Sequence, residues 1–196
     1  AVTLLESLNV PAYKIASPEI TDIPLIKKVA ETGKPVILST GLARLTDIEL
    51  AVDTLIKNGC SQYALLKCTT AYPAPPVECN LNTISDLAKR FNCVSGLSDH
   101  TLGIGVPIAS VCLGASLIEK HFVLKKTEES VDAFFSLDPS EFKSMVDEVR
   151  NVEQAIGIVE YDLAPSAEKN LMARRSLYIV KNVKKGERLT EDNVKS

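Results

Sequence analysis

Two histidines, His100 and His121, are the only imidazoles in the 196-residue sequence, and each closes a short apolar run, in GLSDH and SLIEKH. Neutral imidazole is a good ligand for Mn, Fe, Co or Zn. Two protein ligands leave coordination positions for water and substrate, as a catalytic ion requires. The other reading is two unrelated polar residues at strand ends. Lysines recur at similar places, as Lys14, Lys67 and Lys120. Each could bind a phosphate or carboxylate, or form a Schiff base; each could equally be a solvated side chain whose stem covers apolar surface. Three around one mouth would suit an anionic substrate. Glu19, after Ser17 and Pro18, either faces that mouth or supplies a helix-start charge near Thr21 and Asp22. The YPAPP run at 72–76 is a stiff loop whose Tyr72 could touch substrate, though stiffening alone would explain it. Asp132 could reach the mouth from beyond the charged stretch at 125–129, which reads as a solvated loop face.

These side chains need a frame that gathers strand ends. Candidate strands are 12–17 (AYKIAS), 35–40 (PVILST), 63–69 (YALLKCT), 93–99 (CVSGLSD) and 116–121 (SLIEKH). They are rich in branched apolar residues without clean polar alternation, as parallel strands covered on both faces are. Helical patterns lie between them. TDIE at 46–49 reads as a capping box opening a helix that stops at Asn58-Gly59. DPSE at 138–141 opens another, with Phe142, Met145, Val146, Val149 and Val152 along one stripe.

The strands recur every 23 to 30 residues or so, five repeats of a βα unit. An open doubly wound sheet and a (β/α)8 barrel both fit. Polar groups end every run: Lys14, Ser17 and Glu19; Ser39 and Thr40; Lys67, Thr69 and Thr70; Ser98, Asp99 and His100; Lys120 and His121. Barrels gather function from many strand ends, whereas an open sheet concentrates it at one switch point. No GxGxxG or GxxxxGK[ST] follows any run. The expectation is a TIM barrel of which residues 1–156 supply about strands 4–8. Residues 157–173 read as a linker. Residues 174–196 read as the opening of a second small domain, with a strand at 174–180, a turn at 184–187 and a capped helical turn at 189–194.

Composition limits the partners. A net charge of −3 gives no electrostatic support to nucleic acid or an anionic membrane. No apolar run is long enough to span a bilayer and no signal-peptide pattern is visible, so the expectation is cytoplasmic. Five scattered cysteines without CxxC spacing read as reduced thiols. Both ends read as cut, and the 196 residues alone are expected to be poorly folded and inactive.

In this order along the chain, KIASPEI (14–20), PVILSTG (35–41), LLKCTTAYPAPP (65–76), GLSDHTLGI (96–104), IEKHF (118–122), DAFFSLDPSEFKSMV (132–146) and RRSLY (174–178) resemble the sialic (nonulosonic) acid synthase family. The resemblance implies a (β/α)8 barrel, a linker and a small antifreeze-like (SAF, β-clip) domain. It implies that phosphoenolpyruvate condenses with an N-acetylated hexosamine-type aldose to give a nonulosonic acid and phosphate, in a homodimer. It also implies a divalent cofactor, Mn or Mg, with Co a further choice, held by His100 and His121. Lys14, Ser17 and Ser98 would bind phosphoenolpyruvate, Glu19 would move a proton, and Thr70, Tyr72 and Asp132 would meet the amino sugar. Asp132 matches the aspartate of the family's GPD segment, but Ser130-Val131 precede it here. Thr70 stands where neuraminate synthases have Asn, so the run CTTAYPAP is similar to the pseudaminic branch. Neuraminate or legionaminic acid synthase is the alternative. Other classes are a Schiff-base aldolase, a KDO- or DAHP-type synthase, and a non-catalytic fragment.

Overall fold

The five apolar runs become five parallel strands: β1 (Tyr13–Ile15), β2 (Val36–Ser39), β3 (Tyr63–Cys68), β4 (Val94–Asp99) and β5 (Leu117–Lys120). The computed structural model describes residues 1–126 and 130–196. The charged stretch at 125–129 therefore lies partly outside the described residues. Strand order in space equals order in sequence, β1-β2-β3-β4-β5. A doubly wound sheet reverses its order at a switch point; among the described residues no such reversal occurs.

Helices fill the connections: α1 (Val2–Ser7) before the first strand, then α2 (Ile23–Ala30), α3 (Leu45–Lys57), α4 (Thr83–Phe91), α5 (Gly105–Cys112) and, after the last strand, α6 (Pro139–Ile156). They cover one face of the sheet. Tyr13, Ile15, Val36, Leu38 and Leu65 from the strands pack with Ile26, Val29, Ala51, Leu55 and Leu87 from the helices, all nearly inaccessible. Each such aliphatic side chain contributes roughly 1.5–3 kcal/mol over leaving it in water. The register places Lys14, Ile37, Ala64, Gly96 and Leu117 on the opposite, inner face. Only glycine fits at 96, where a Cβ would lie 2.2 Å from the Leu117 carbonyl oxygen of the neighbouring strand.

Caps explain the helix starts, with one correction. Asp138 accepts from the Ser140 and Glu141 amides at 2.9 Å, and Glu141 reaches back to the Asp138 amide at 3.0 Å, the reciprocal box expected of DPSE. The box expected at 46–49 does not form. Helix α3 starts one residue before Thr46, and the Asp47 carboxylate takes the Arg44 amide at 2.8 Å. With the helix already under way at Leu45, Thr46 is no longer its N-cap, and the carboxylate three residues into it satisfies the free Arg44 amide. On α6 the expected stripe is only partly covered: Met145 is buried and Val146 is 39% exposed.

Residues 1–157 form one compact unit and 158–196 another. The second unit contains a one-turn helix α7 (Pro165–Glu168) and two short antiparallel strands, β6 (Tyr178–Ile179) and β7 (Val194–Lys195). The strand expected at 174–180 is thus two residues long. The turn at 184–187 closes through Glu187 N–H to Lys184 O at 3.0 Å. Residues 189–194 contain the expected capped turn: the Val194 N–H donates to Thr190 O at 3.0 Å and the Asn193 amide oxygen accepts the Thr190 N–H at 2.7 Å. Among the described residues no helix is long and apolar enough to cross a membrane.

Candidate active site

Polar side chains converge where the five strands end on the inner face. Lys14 Nζ donates to Ser39 Oγ at 2.8 Å and lies 3.4 Å from Glu119 Oε2. The other Glu119 oxygen accepts from Ser98 Oγ at 2.6 Å. Ser17 Oγ accepts the Gly41 amide at 2.9 Å. A Cβ on Gly41 would sit 2.2 Å from Thr70 Oγ1 and 2.9 Å from Cys68 Sγ. The absence of a side chain there lets Ser17, Cys68 and Thr70 approach one another.

The histidines stand beside this cluster. His100 is buried and its Nδ1 lies 2.9 Å from Thr69 O. A carbonyl only accepts, so Nδ1 carries the proton and Nε2 keeps its lone pair. The His121 ring centre lies 5.2 Å from that of His100, and His121 Nδ1 is 3.5 Å from Asp132 Oδ2. Tyr72 is 52% exposed and stacks at 4.4 Å on His100. Phe135, buried, backs His121 at 4.8 Å. The Tyr72–Pro73 bond is cis, and the Ala74 amide donates to His100 O at 2.9 Å.

Environment separates the titrations. Burial opposes charging His100, but its bonds to Cys68 and Thr69 O outweigh it and the pKa rises. At His121 burial, then the charge of His100, holds the pKa below the ordinary value despite Asp132. Burial pushes the Cys68 thiol up, yet its bonds to His100, Ser17 and Thr70 bring it to about 7.

Some sequence expectations change place. Of the three strand-end lysines, only Lys14 faces the cluster. Lys67 lies on the opposite face and donates to Cys68 O at 2.8 Å. Lys120 is fully buried in an ion pair with Asp99 at 2.6 Å. Both sit one residue out of phase with the inner-facing positions. Glu19 is exposed and, among the described residues, makes no side-chain bond to the other site groups; helix α2 is capped instead by Asp22, which takes the Leu25 amide at 3.0 Å. Asp132 is at hand beside His121. Glu119, Cys68 and Phe135 join the site without having been singled out, and Ser39 joins it from among the polar strand-end groups. Strand parity could have found the first: Glu119 stands two residues before His121 and in register with Ser98.

Residues 1–161 match the NeuB family. The chain belongs to the NeuB family. It is 50% identical over 98% of its length to an uncharacterized protein of Methanocaldococcus jannaschii, of which it covers 58%. It is 45% identical over its whole length to a pseudaminic acid synthase of Helicobacter pylori, covering 58% of that protein. An N,N'-diacetyllegionaminic acid synthase of Campylobacter jejuni is 43% identical over 99% of the chain, with 59% of that protein covered. The crystal structure of N-acetylneuraminic acid synthetase from Leptospira borgpetersenii superposes with a TM-score of 0.79 at 32% identity, covering 88% of this chain and 60% of the other. The α/β half-barrel of parallel strands is therefore that of the NeuB family's sialic acid synthase structures. The chain spans 58% to 59% of the length of these curated relatives.

Proposed function

We propose that the complete protein is a (β/α)8 barrel synthase, with strands β1–β5 as its strands four to eight. It would join phosphoenolpyruvate to an N-acetylated hexosamine-type aldose, giving a nonulosonic acid and phosphate, with pseudaminic acid as product. The observation that carries the reading is the pairing of two imidazoles 5.2 Å apart with a lysine–serine cluster on the same inner face.

In this reaction C3 of phosphoenolpyruvate bonds to the aldehyde carbon, water adds at C2, and phosphate leaves by C–O cleavage. Lys14, Ser17 and Ser98 supply a positive charge and hydroxyl donors for the phosphate and carboxylate, where positioning does most of the work. Glu19, the acidic residue of the ASPE motif just past β1, moves the proton. Tyr72, exposed over the histidines, Thr70 and Asp132 meet the acceptor. The histidine pair fits a divalent ion, Mn, Mg or Co: Nδ1 of His100 is tied to a carbonyl, the outer bond that orients a metal-binding imidazole. The two ring centres, 5.2 Å apart, place the imidazoles close enough that both would hold one ion. Bound there, the ion would polarise the aldehyde oxygen as a Lewis acid. Among the described residues no third His, Cys, Asp or Glu joins the pair in a larger ligand group.

The acceptor assignment rests on Thr70 and its CTTAYPAP setting, since 45% and 43% identity to synthases of the two branches do not discriminate. The second unit is assigned as the opening of an SAF domain, and the enzyme as a cytoplasmic homodimer with no nucleic-acid or membrane partner. The test is the complete protein with Mn, phosphoenolpyruvate and two competing acceptors, a 2,4-diacetamido-trideoxy-altrose and N-acetylmannosamine. Preference for the first supports the proposal. Preference for the second moves the product to neuraminate, and no turnover with either returns the non-catalytic reading.

A further inference from the structure

Strands β4 and β5 each end on the residue before a histidine, and what ties those ends together lies on the other face of the sheet. Asp99 closes β4, Lys120 closes β5, and the two are register partners. Their side chains pair at 2.6 Å with 2% and 0% exposure. Strand alternation turns them to the helix-covered face while Ser98 and Glu119 face inward. They are too deep to meet a substrate.

The pair also reaches around His100. Asp99 Oδ1 accepts the Thr101 amide at 3.1 Å and Oδ2 accepts the Thr101 hydroxyl at 3.0 Å. Lys120 Nζ donates to the Thr101 carbonyl as well as to Asp99. Thr101 is fully buried. The residues on both sides of His100 are thus bonded to the side chain that immediately precedes His121. Each histidine is held separately from its far side, His100 O by the Ala74 amide and His121 O by the Leu137 amide, both at 2.9 Å. Neither of those bonds relates one histidine to the other. The Asp99–Lys120–Thr101 cluster does.

We infer that this cluster is a positioning device, fixing the separation and orientation of His100 and His121. The inference rests on the proposed metal reading of that pair. A buried charge left without its partner is strongly unfavourable, so the cluster admits one arrangement of the two strand ends. With two protein ligands, small misalignment falls directly on metal affinity, and outer groups that orient ligands commonly matter about 10- to 100-fold.

The experiment is Mn titration of the complete protein without substrates, free Mn being followed by electron paramagnetic resonance and the folded fraction by thermal unfolding. Wild type should bind one Mn per chain. Lys120→Met, which keeps length and removes charge, should raise the Kd about tenfold or more, with kcat recovering at saturating Mn. A cluster that merely supports the fold would lower the Tm of Lys120→Met and leave the Mn affinity of its folded fraction within about twofold of wild type; that result overturns the inference and spares the metal site. No Mn binding by wild type overturns the metal reading and the inference together. Should Lys120→Met be insoluble, Thr101→Val, which deletes one hydroxyl bond and no charge, carries the test. A Kd raised about threefold or more supports the positioning role, and an unchanged Kd sinks it.

Discussion

Lys14 and Glu119 meet across the inner face of the sheet, Nζ 3.4 Å from Oε2, although they stand on the first and last strands of a five-strand order. Four strand spacings of about 4.8 Å would hold those strands ~19 Å apart in a flat sheet, with both side chains pointing the same way. The contact requires the sheet to curl until its outer strands face each other. Strands four apart lie on opposite walls of an eight-stranded barrel, so this ion pair supports the closed-barrel proposal through side chains alone.

The same pair makes the first prediction. Both side chains are partly exposed, 31% for Lys14 and 45% for Glu119, so their attraction is weak and an incoming phosphate or carboxylate can displace it. Lys14→Met should raise the KM for phosphoenolpyruvate about 100-fold, as expected for loss of a charge-assisted bond to an anion, while the acceptor KM changes little. Steady-state kinetics on the complete protein decide it; an unchanged KM would take Lys14 out of the site.

How much of this was readable in the sequence depends on what each residue answers to. The strands were visible because runs such as PVILS and YALLKC leave few alternatives to a parallel strand. The histidines followed, since each ends a run. Lys67 and Lys120 were misplaced because strand ends are legible to about a residue, and one residue inverts the face. The buried partner of Lys120, Asp99, lies on the neighbouring strand, whereas Lys67 bonds the carbonyl of the next residue on its own strand. Glu119 was missed for the complementary reason: its role appears only when β5 is laid beside β4 and opposite β1. The box at 46–49 failed because Asp47 reaches the free Arg44 amide, a competition between neighbours that residue types alone do not rank.

Metal dependence should follow both histidines. If the pair holds an ion as proposed, His100→Ala or His121→Ala should abolish turnover rather than merely raise the KM for phosphoenolpyruvate, because such an ion would supply its larger stabilisation to the developing alkoxide. Chelation should mimic either variant, and added Mn should restore wild type but not the double variant. Either single variant keeping most of its kcat after exhaustive chelation would show that the pair holds no ion.

Acceptor choice should move with Thr70. This hydroxyl lies between the Cys68 thiol, 3.8 Å away, and the space above Gly41. Thr70→Asn should lower kcat/KM for the 2,4-diacetamido acceptor at least about tenfold relative to N-acetylmannosamine, since one well-placed polar contact can discriminate strongly. Competition between the two acceptors reads the ratio directly; an unchanged ratio assigns specificity elsewhere.

Expressed alone, the 196 residues should associate and show no turnover. Among the described residues β1 and β5 have no partner on their outer edges. At the N-terminal strand ends a cavity of about 500 Å³ lies open, lined by Val36, Ile37, Tyr63, Ala64 and Leu117. Unpaired edges beside exposed apolar surface invite intermolecular pairing. Sedimentation and thermal unfolding test this: a sharp monomeric transition together with phosphoenolpyruvate turnover would overturn it.

The last prediction concerns pH and the seat of helix α1. Glu6 accepts from Tyr13 Oη at 2.6 Å and from Lys34 Nζ at 2.8 Å, joining the helix to β1 and to the turn before β2. The Lys34 bond first, then the Tyr13 bond, hold the Glu6 pKa below its ordinary 4.5. Burial first, then the bond to Glu6, push Tyr13 up to about 12. A depressed carboxylate contributes stability that is present above its unfolded pKa and lost as pH falls through the folded one. A raised phenol contributes stability that is complete below 10.0 and lost as pH rises through about 12. The connection should therefore hold across neutral pH and weaken at both extremes. In the complete protein, Glu6→Gln should lower the urea midpoint near neutrality, and the difference from wild type should shrink once pH drops well below 4.5. Tyr13→Phe should remove this phenol's share of the stability loss expected of wild type above pH 10.0. A Glu6→Gln deficit of equal size at neutral and acid pH would mean that the carboxylate's charge plays no part in seating the helix.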